Sequence, residues 1–138
     1  MRKCVYDLIV RGYELDSFGH VNNAVYLQYA EAALWNFFRI NNLMEYTLDR
    51  GIFPVVMESS QRYIHELKLL DEVRIESEFT AKGGMMICKH KIINNATGVL
   101  SCKINSIIVF VNNERVIHNI PDEVNEILGC DTDEYLNK

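Results

Sequence analysis

A helix-like stretch over residues 24–40 leaves this chain few ways to fold. At 3.6 residues per turn, Tyr26, Leu27, Tyr29, Ala30, Ala33, Leu34, Phe37, Phe38 and Ile40 cover about half of the helical circumference, and Gln28, Glu31, Asn36 and Arg39 share the opposite arc with Trp35. A helix with so wide an apolar face has to be wrapped by other elements. Those elements follow in the chain. Residues 53–65 are rich in β-formers, and Val73, Ile75, Ser77 and Phe79 alternate with Arg74, Glu76 and Glu78, the period of two that marks a strand with one buried face. Lys82-Gly83-Gly84 turns the chain into a strand over 85–93, and residues 94–98 turn it into the longest one, over 99–111. In that last strand Leu100, Cys102, Ile104, Ile108 and Phe110 share a face that only Ser106 interrupts. Ahead of the helix a first strand is expected over 5–11, and behind it a short helical turn over 43–50. Asn112-Asn113 suits a tight two-residue turn, because Asn tolerates the left-handed conformation. Pro121 opens a last short helix over 122–128, where its missing N–H does no harm.

The order of strand, long helix and four consecutive strands implies an α+β arrangement, with an antiparallel sheet of about five strands curled around one long central helix. A chain of 138 residues, 49% of them hydrophobic, is expected to form a single domain over residues 1–138. One sheet and one helix leave a sheet edge and part of the helix uncovered, so a homodimer or homotetramer is expected.

Charge and composition exclude several roles. The net charge of −5 and the lack of any Lys/Arg run give no reason to expect nucleic acid, and any contact with a phosphate should be local. No apolar stretch approaches the ~20 residues of a membrane-spanning helix, and Met1-Arg2-Lys3 leads into a strand-like segment, not a signal peptide. The cysteines Cys4, Cys88, Cys102 and Cys130 are widely spaced and form no C-x-x-C pair, so a reduced, cytoplasmic protein is expected. His65, His90 and His118 share no ligand spacing, and no metal site is expected.

Chemistry concentrates just before the helix. Asp16-Ser17-Phe18-Gly19-His20-Val21-Asn22-Asn23 sets an acid, an imidazole and two carboxamides beside a helix N-terminus. The carboxylate of Asp16 can act as base or nucleophile. The first N–H groups of a helix are unpaired and partially positive, so they can hold a developing oxyanion. His20 has three readings: donor to a carbonyl or leaving sulfur, orienter of Asp16, or partner of loop backbone groups. Asn22 and Asn23 read mainly as loop-fixing and helix-capping residues, with positioning of the site as a consequence. The same residues also form ordinary turns and caps.

Residues 11–26, Arg-Gly-Tyr-Glu-Leu-Asp-Ser-Phe-Gly-His-Val-Asn-Asn-Ala-Val-Tyr, resemble the loop-and-helix signature of the hotdog-fold thioesterases, the group of 4-hydroxybenzoyl-CoA thioesterase and the acyl-carrier-protein thioesterases. Residues 63–73 are similar to that family's second strand and turn, and residues 98–113 to its last long strand. The resemblance implies hydrolysis of an acyl-CoA or acyl-ACP thioester in fatty acid metabolism, and a site formed between subunits. It implies no metal, with coenzyme A or acyl carrier protein present only as part of the substrate. It places the catalytic acid on Asp16 and the oxyanion donors on backbone N–H groups of Asn23, Ala24, Val25 and Tyr26. Two departures stand out. Phe18 occupies a position where the acyl-carrier-protein branch carries Asn, and that branch's second-strand carboxylate matches Glu66 only through a one-residue gap, with Glu58 as another candidate. Glu31, bordering the apolar arc, is a further carboxylate candidate.

A thioester asks little of a catalyst, because thiolate is a good leaving group. A carboxylate that attacks or activates water and donors aimed at the carbonyl oxygen suffice. Two other readings use the same pocket. An enoyl-CoA hydratase or dehydratase pairs Asp with a His five residues later through an Asn-Pro step, whereas here His20 follows Asp16 by four with no proline between. A non-catalytic acyl-CoA sensor would bind without turnover, although no helix-turn-helix is present to read out the ligand.

Overall fold

A computed structural model describes residues 1–129; Cys130 lies outside the described residues. The chain forms strand β1 (Arg2–Ile9), a 3-10 turn (Gly12–Glu14), helix α1 (Asn23–Ile40), helix α2 (Met44–Arg50), strands β2 (Phe53–Tyr63), β3 (Glu72–Lys82), β4 (Met85–Asn94), β5 (Leu100–Val111) and β6 (Ile117–His118), and helix α3 (Asp122–Leu128). All strand pairs are antiparallel, in the order β1-β3-β4-β5-β2, with the two-residue β6 added to β5. The sheet thus has six strands among the described residues, one more than the five expected.

Several boundaries move for identifiable reasons. The first strand starts and ends earlier than 5–11, because the Val10 N–H leaves β3 for the carbonyl of Asp71 while Arg11 opens the 3-10 turn. β2 stops at Tyr63, so residues 64–71 form a connecting loop. The turn after β5 is wider than two residues: Asn112 Oδ1 accepts the N–H groups of Glu114 and Val116, and Arg115, not Asn, takes the left-handed backbone at φ 61°. The β3–β4 hairpin does turn at Gly83 and Gly84, with φ of 59° and 79°. A Cβ on Gly84 would also stand 2.7 Å from Asn119 Oδ1, so the Asn119 side chain would have to shift to admit one.

The apolar arc of α1 packs on the inner face of the sheet in two clusters. Tyr26, Tyr29, Ala30 and Ala33 lie with Val73, Ile75, Ile92, Cys102 and Ile104. Farther along, Leu34, Phe37 and Phe38 lie with Phe79, Met86, Cys88, Ile108 and Phe110, and the Phe37 and Phe79 rings stack at 4.3 Å. Asn36, expected on the polar arc, is buried instead; its amide donates to the Val5 carbonyl and its Oδ1 accepts from Arg39. Leu27, expected in the buried arc, is 39% exposed. The cysteines Cys4, Cys88 and Cys102 are free and buried. No described helix is long and apolar enough to cross a membrane.

A polar row separates the two clusters. Ser77 on β3 is in register with His90 on β4, and Ser106 on β5 is in register with Ser59 on β2. Ser77 Oγ and His90 Nδ1 are 2.6 Å apart, both side chains are buried, and burial pushes the imidazole down to about 4. Below the ordinary histidine value the unfolded chain binds a proton that the folded protein refuses, so folding weakens as pH falls through 6.5 toward 4. Between pH 7 and 5 this group should remove about 2 kcal/mol of stability. Urea unfolding at the two pH values should show that loss, reduced by about that amount in His90→Gln.

Candidate active site

The loop ahead of α1 is built around its own acid. Asp16 Oδ1 accepts the backbone N–H groups of Phe18 at 2.9 Å and His20 at 3.1 Å, and the Asp16 N–H donates to the His20 carbonyl at 2.8 Å. Gly19 closes the loop at φ 78°. Among the described residues Oδ2 takes no hydrogen bond, so the carboxylate is held by one oxygen and offers the other. Asp16 and His20 are both half-buried. The far side of the loop is anchored by an antiparallel bridge between His20 and Lys68 and by the Val21 N–H donating to the Leu67 carbonyl at 2.8 Å.

Asn22 is the N-cap of α1. Its Oδ1 accepts from the Ala24 N–H at 3.0 Å, and its carbonyl accepts from the Val25 N–H at 2.9 Å. The donors expected at Asn23, Ala24, Val25 and Tyr26 are therefore not equivalent: those of Ala24 and Val25 are committed to the cap. Among the described residues the Asn23 N–H has no acceptor. The Asn23 carbonyl accepts from Tyr63 Oη at 3.1 Å, and the Tyr26 ring is buried edge-on to both Tyr29 and Tyr63. Burial pushes the Tyr26 hydroxyl up to about 12, so it stays protonated near neutral pH.

Asp16, His20, Asn23, Tyr63, His65 and Glu66 line one cleft of about 230 Å³. Glu66 reaches it from the loop after β2, not from the second strand as the resemblance implied. Its own backbone N–H, then His65 and His20, hold the carboxyl below the usual range. The other two carboxylate candidates lie elsewhere. Glu58 sits at a β-bulge of β2 beside Ser60 and Ile107, and Glu31 borders a separate cavity between α1 and the sheet. Among the described residues no group of three or more His, Cys, Asp or Glu is placed to hold a metal ion.

Sequence reasoning passed over Glu14 and put Tyr29 only in the apolar arc; together they lock the loop to the helix. Glu14 is buried, and its Oε1 accepts from the Arg11 N–H at 2.7 Å and from Tyr29 Oη at 2.9 Å, while Oε2 pairs with the Arg11 guanidinium at 3.0 Å. The Glu14 carbonyl accepts the Asn22 N–H at 2.9 Å. Burial alone would raise the Glu14 carboxyl, but these donors outweigh it and hold it below the ordinary value. The spacing of Glu14 three residues after Arg11, a capping-box reach-back, was the available signal. Removing the Tyr29 hydroxyl leaves a buried carboxylate short of one donor, so Tyr29→Phe should lower stability by about 1–3 kcal/mol. Urea unfolding near neutral pH checks this.

Comparison with known proteins identifies the fold and the family. A long-chain acyl-CoA thioesterase, FadM of Escherichia coli (strain K12), is 33% identical over 75 residues, which span 54% of this chain and 57% of that relative. A crystal structure of a 1,4-dihydroxy-2-naphthoyl-CoA thioesterase from Synechocystis superposes with a TM-score of 0.83 at 15% identity, covering 91% of this chain and 95% of that one. A hypothetical protein from Staphylococcus aureus, solved in complex with CoA, superposes with a TM-score of 0.82 at 13% identity, covering 91% and 81%. At such identities the two structures speak for the fold, which is the hotdog fold. The model of the thioesterase-like superfamily matches residues 10–128, from the start of the acid loop through α3, and the chain belongs to that superfamily.

Proposed function

We propose that the protein hydrolyses acyl-CoA thioesters, with Asp16 as general base or nucleophile and the Asn23 N–H as oxyanion donor. The observation that carries this reading is the shared cleft: Asp16, half-buried with one uncommitted carboxylate oxygen, and Asn23, whose uncapped N–H is the first of an 18-residue helix, are residues of the same opening. A carbonyl bound there meets partial positive charge from the helix end at its oxygen and the Asp16 carboxylate at its carbon. Asp16 then either attacks the carbonyl carbon or takes a proton from the water that does. When water attacks, the C–S bond breaks as the tetrahedral centre collapses, releasing the acid, and the thiolate takes the proton that Asp16 removed. When Asp16 attacks, the same collapse releases the thiolate, which is protonated from solvent, and leaves a mixed anhydride on Asp16 that water then hydrolyses to the acid. His20, whose ring takes no hydrogen bond among the described residues, is the group to position the thioester or its sulfur. Glu66 borders the cleft as a second, exposed carboxylate. FadM, named a long-chain acyl-CoA thioesterase, supports CoA as the thiol carrier.

The active unit in this reading is a homodimer joined at the β2 edge. β2 ends the sheet, so one side of its backbone is unpaired, and Val55, Val56 and Met57 along it are about half exposed, at 44%, 48% and 50%. A second copy covers that row and completes the edge ladder. Val56→Lys should shift the protein to a monomer in light scattering; an unchanged mass would remove the β2 interface from the reading.

Thiol release from an acyl-CoA series, with acyl-ACP substrates alongside, tests the activity itself. Asp16→Asn should lower kcat by about 10²- to 10⁴-fold with unchanged folding by circular dichroism. An Asn variant that turns over like the parent would end the assignment of Asp16, and ligand binding without any thiol release would leave a sensor.

A further inference from the structure

We infer that the cavity between α1 and the sheet takes an acyl chain carrying an oxygen function at its distal end, recognised by His90 and Ser106. This rests on the thioesterase reading for where the chain begins and goes beyond it in naming the acyl group. The cavity, of about 220 Å³, is lined by Leu27, Glu31 and Leu34 of α1 and, from the sheet, by His90, Ser106 and Ile108. Asn23, Leu27, Glu31 and Leu34 follow one another at helical spacing, so the α1 face that starts at the oxyanion donor runs directly to this cavity. From Asn23 to the level of Ala30 the helix rises about 10 Å, the length of an acyl chain of about eight carbons.

A cavity meant for a plain alkyl chain would be lined by aliphatic groups. Here the polar row of the sheet crosses it. His90 and Ser106 are only 3% and 7% exposed. Ser59, which also lines the cavity, already accepts from Gln61 Nε2 at 2.7 Å. The Ser106 hydroxyl has no partner among the described residues. His90 uses Nδ1 toward Ser77, which leaves one ring nitrogen for a ligand. Because the Ser77 hydroxyl can rotate to donate to Nδ1 or to accept from it, the remaining nitrogen can serve as donor or acceptor. Both groups open on the cavity, and an alkyl chain seated there would take them from water without giving them a partner. A hydroxyl or oxo group arriving on the acyl chain satisfies both side chains at once. Burial keeps the imidazole neutral throughout the physiological range, which suits recognition of an uncharged oxygen and not a carboxylate.

The test compares octanoyl-CoA with 8-hydroxyoctanoyl-CoA for thiol release, and octanoate with 8-hydroxyoctanoate for binding by calorimetry. The parent protein should favour the hydroxylated member of each pair by about tenfold, and His90→Leu and Ser106→Ala should each bring that ratio close to one. Ser106→Ala, the smaller change, keeps the test valid if His90→Leu does not fold. Equal use of both members by the parent, or a ratio that survives both substitutions, overturns the inference. Absence of thiol release from every acyl-CoA would defeat the enzymatic reading alone, because the ratio of the two acid affinities still decides what the cavity accepts.

Discussion

The buried carboxylate of Glu14 joins the two parts of the molecule that have to stay in register for any chemistry to occur. An ionised carboxyl removed from water is tolerated only when its oxygens are hydrogen-bonded and its charge is paired. Here three donors converge on it: the Arg11 amide, the Arg11 guanidinium and the Tyr29 hydroxyl. Arg11 belongs to the acid loop and Tyr29 to the second turn of α1, so satisfying Glu14 ties loop to helix. The same residue's carbonyl holds the amide of Asn22, the helix cap. The placement of the Asp16 loop against the start of α1 thus follows from the electrostatic requirement of Glu14.

The sheet supplies the second half of that order. Its inner face buries the α1 arc through two apolar clusters, and the packing of Tyr26 and Tyr29 in one of them sets where the helix begins relative to β2. Tyr63, at the end of β2, reaches the Asn23 carbonyl and stands edge-on to Tyr26, so strand, helix and loop meet at the cleft. The break between the clusters is where His90, Ser77 and Ser106 interrupt an apolar face, and it coincides with the cavity beside α1.

Most of the architecture was readable from periodicity. Alternation along β3 and the wide arc of α1 translated into buried faces because both depend on neighbours a few residues away. The readings that moved depended on partners far off in the chain. Asn36 looked solvated on a helical wheel and is buried because the Val5 carbonyl needs its amide. The residues 112–113 turn widened because the Asn112 side chain took up two backbone N–H groups. At the site, Asp16, His20 and Asn23 were legible as a cluster in one loop, and the cleft brings them together. The expected carboxylates scattered: Glu66 joins the cleft from a loop, while Glu58 and Glu31 line other surfaces.

By itself the sequence determined which segments become strands and helix, which of their faces are apolar, and where an acid stands next to a helix start. All three follow from local spacing. Only the tertiary structure decided that Glu14 and Tyr29 form a pair, and that Ser77 with His90 and Ser106 with Ser59 face each other on the inner face, the two pairs offset by two residues between β4 and β5. These are consequences of strand register and of side chains meeting across thirteen or more residues of chain, and no local pattern encodes which distant partner a buried polar group will find.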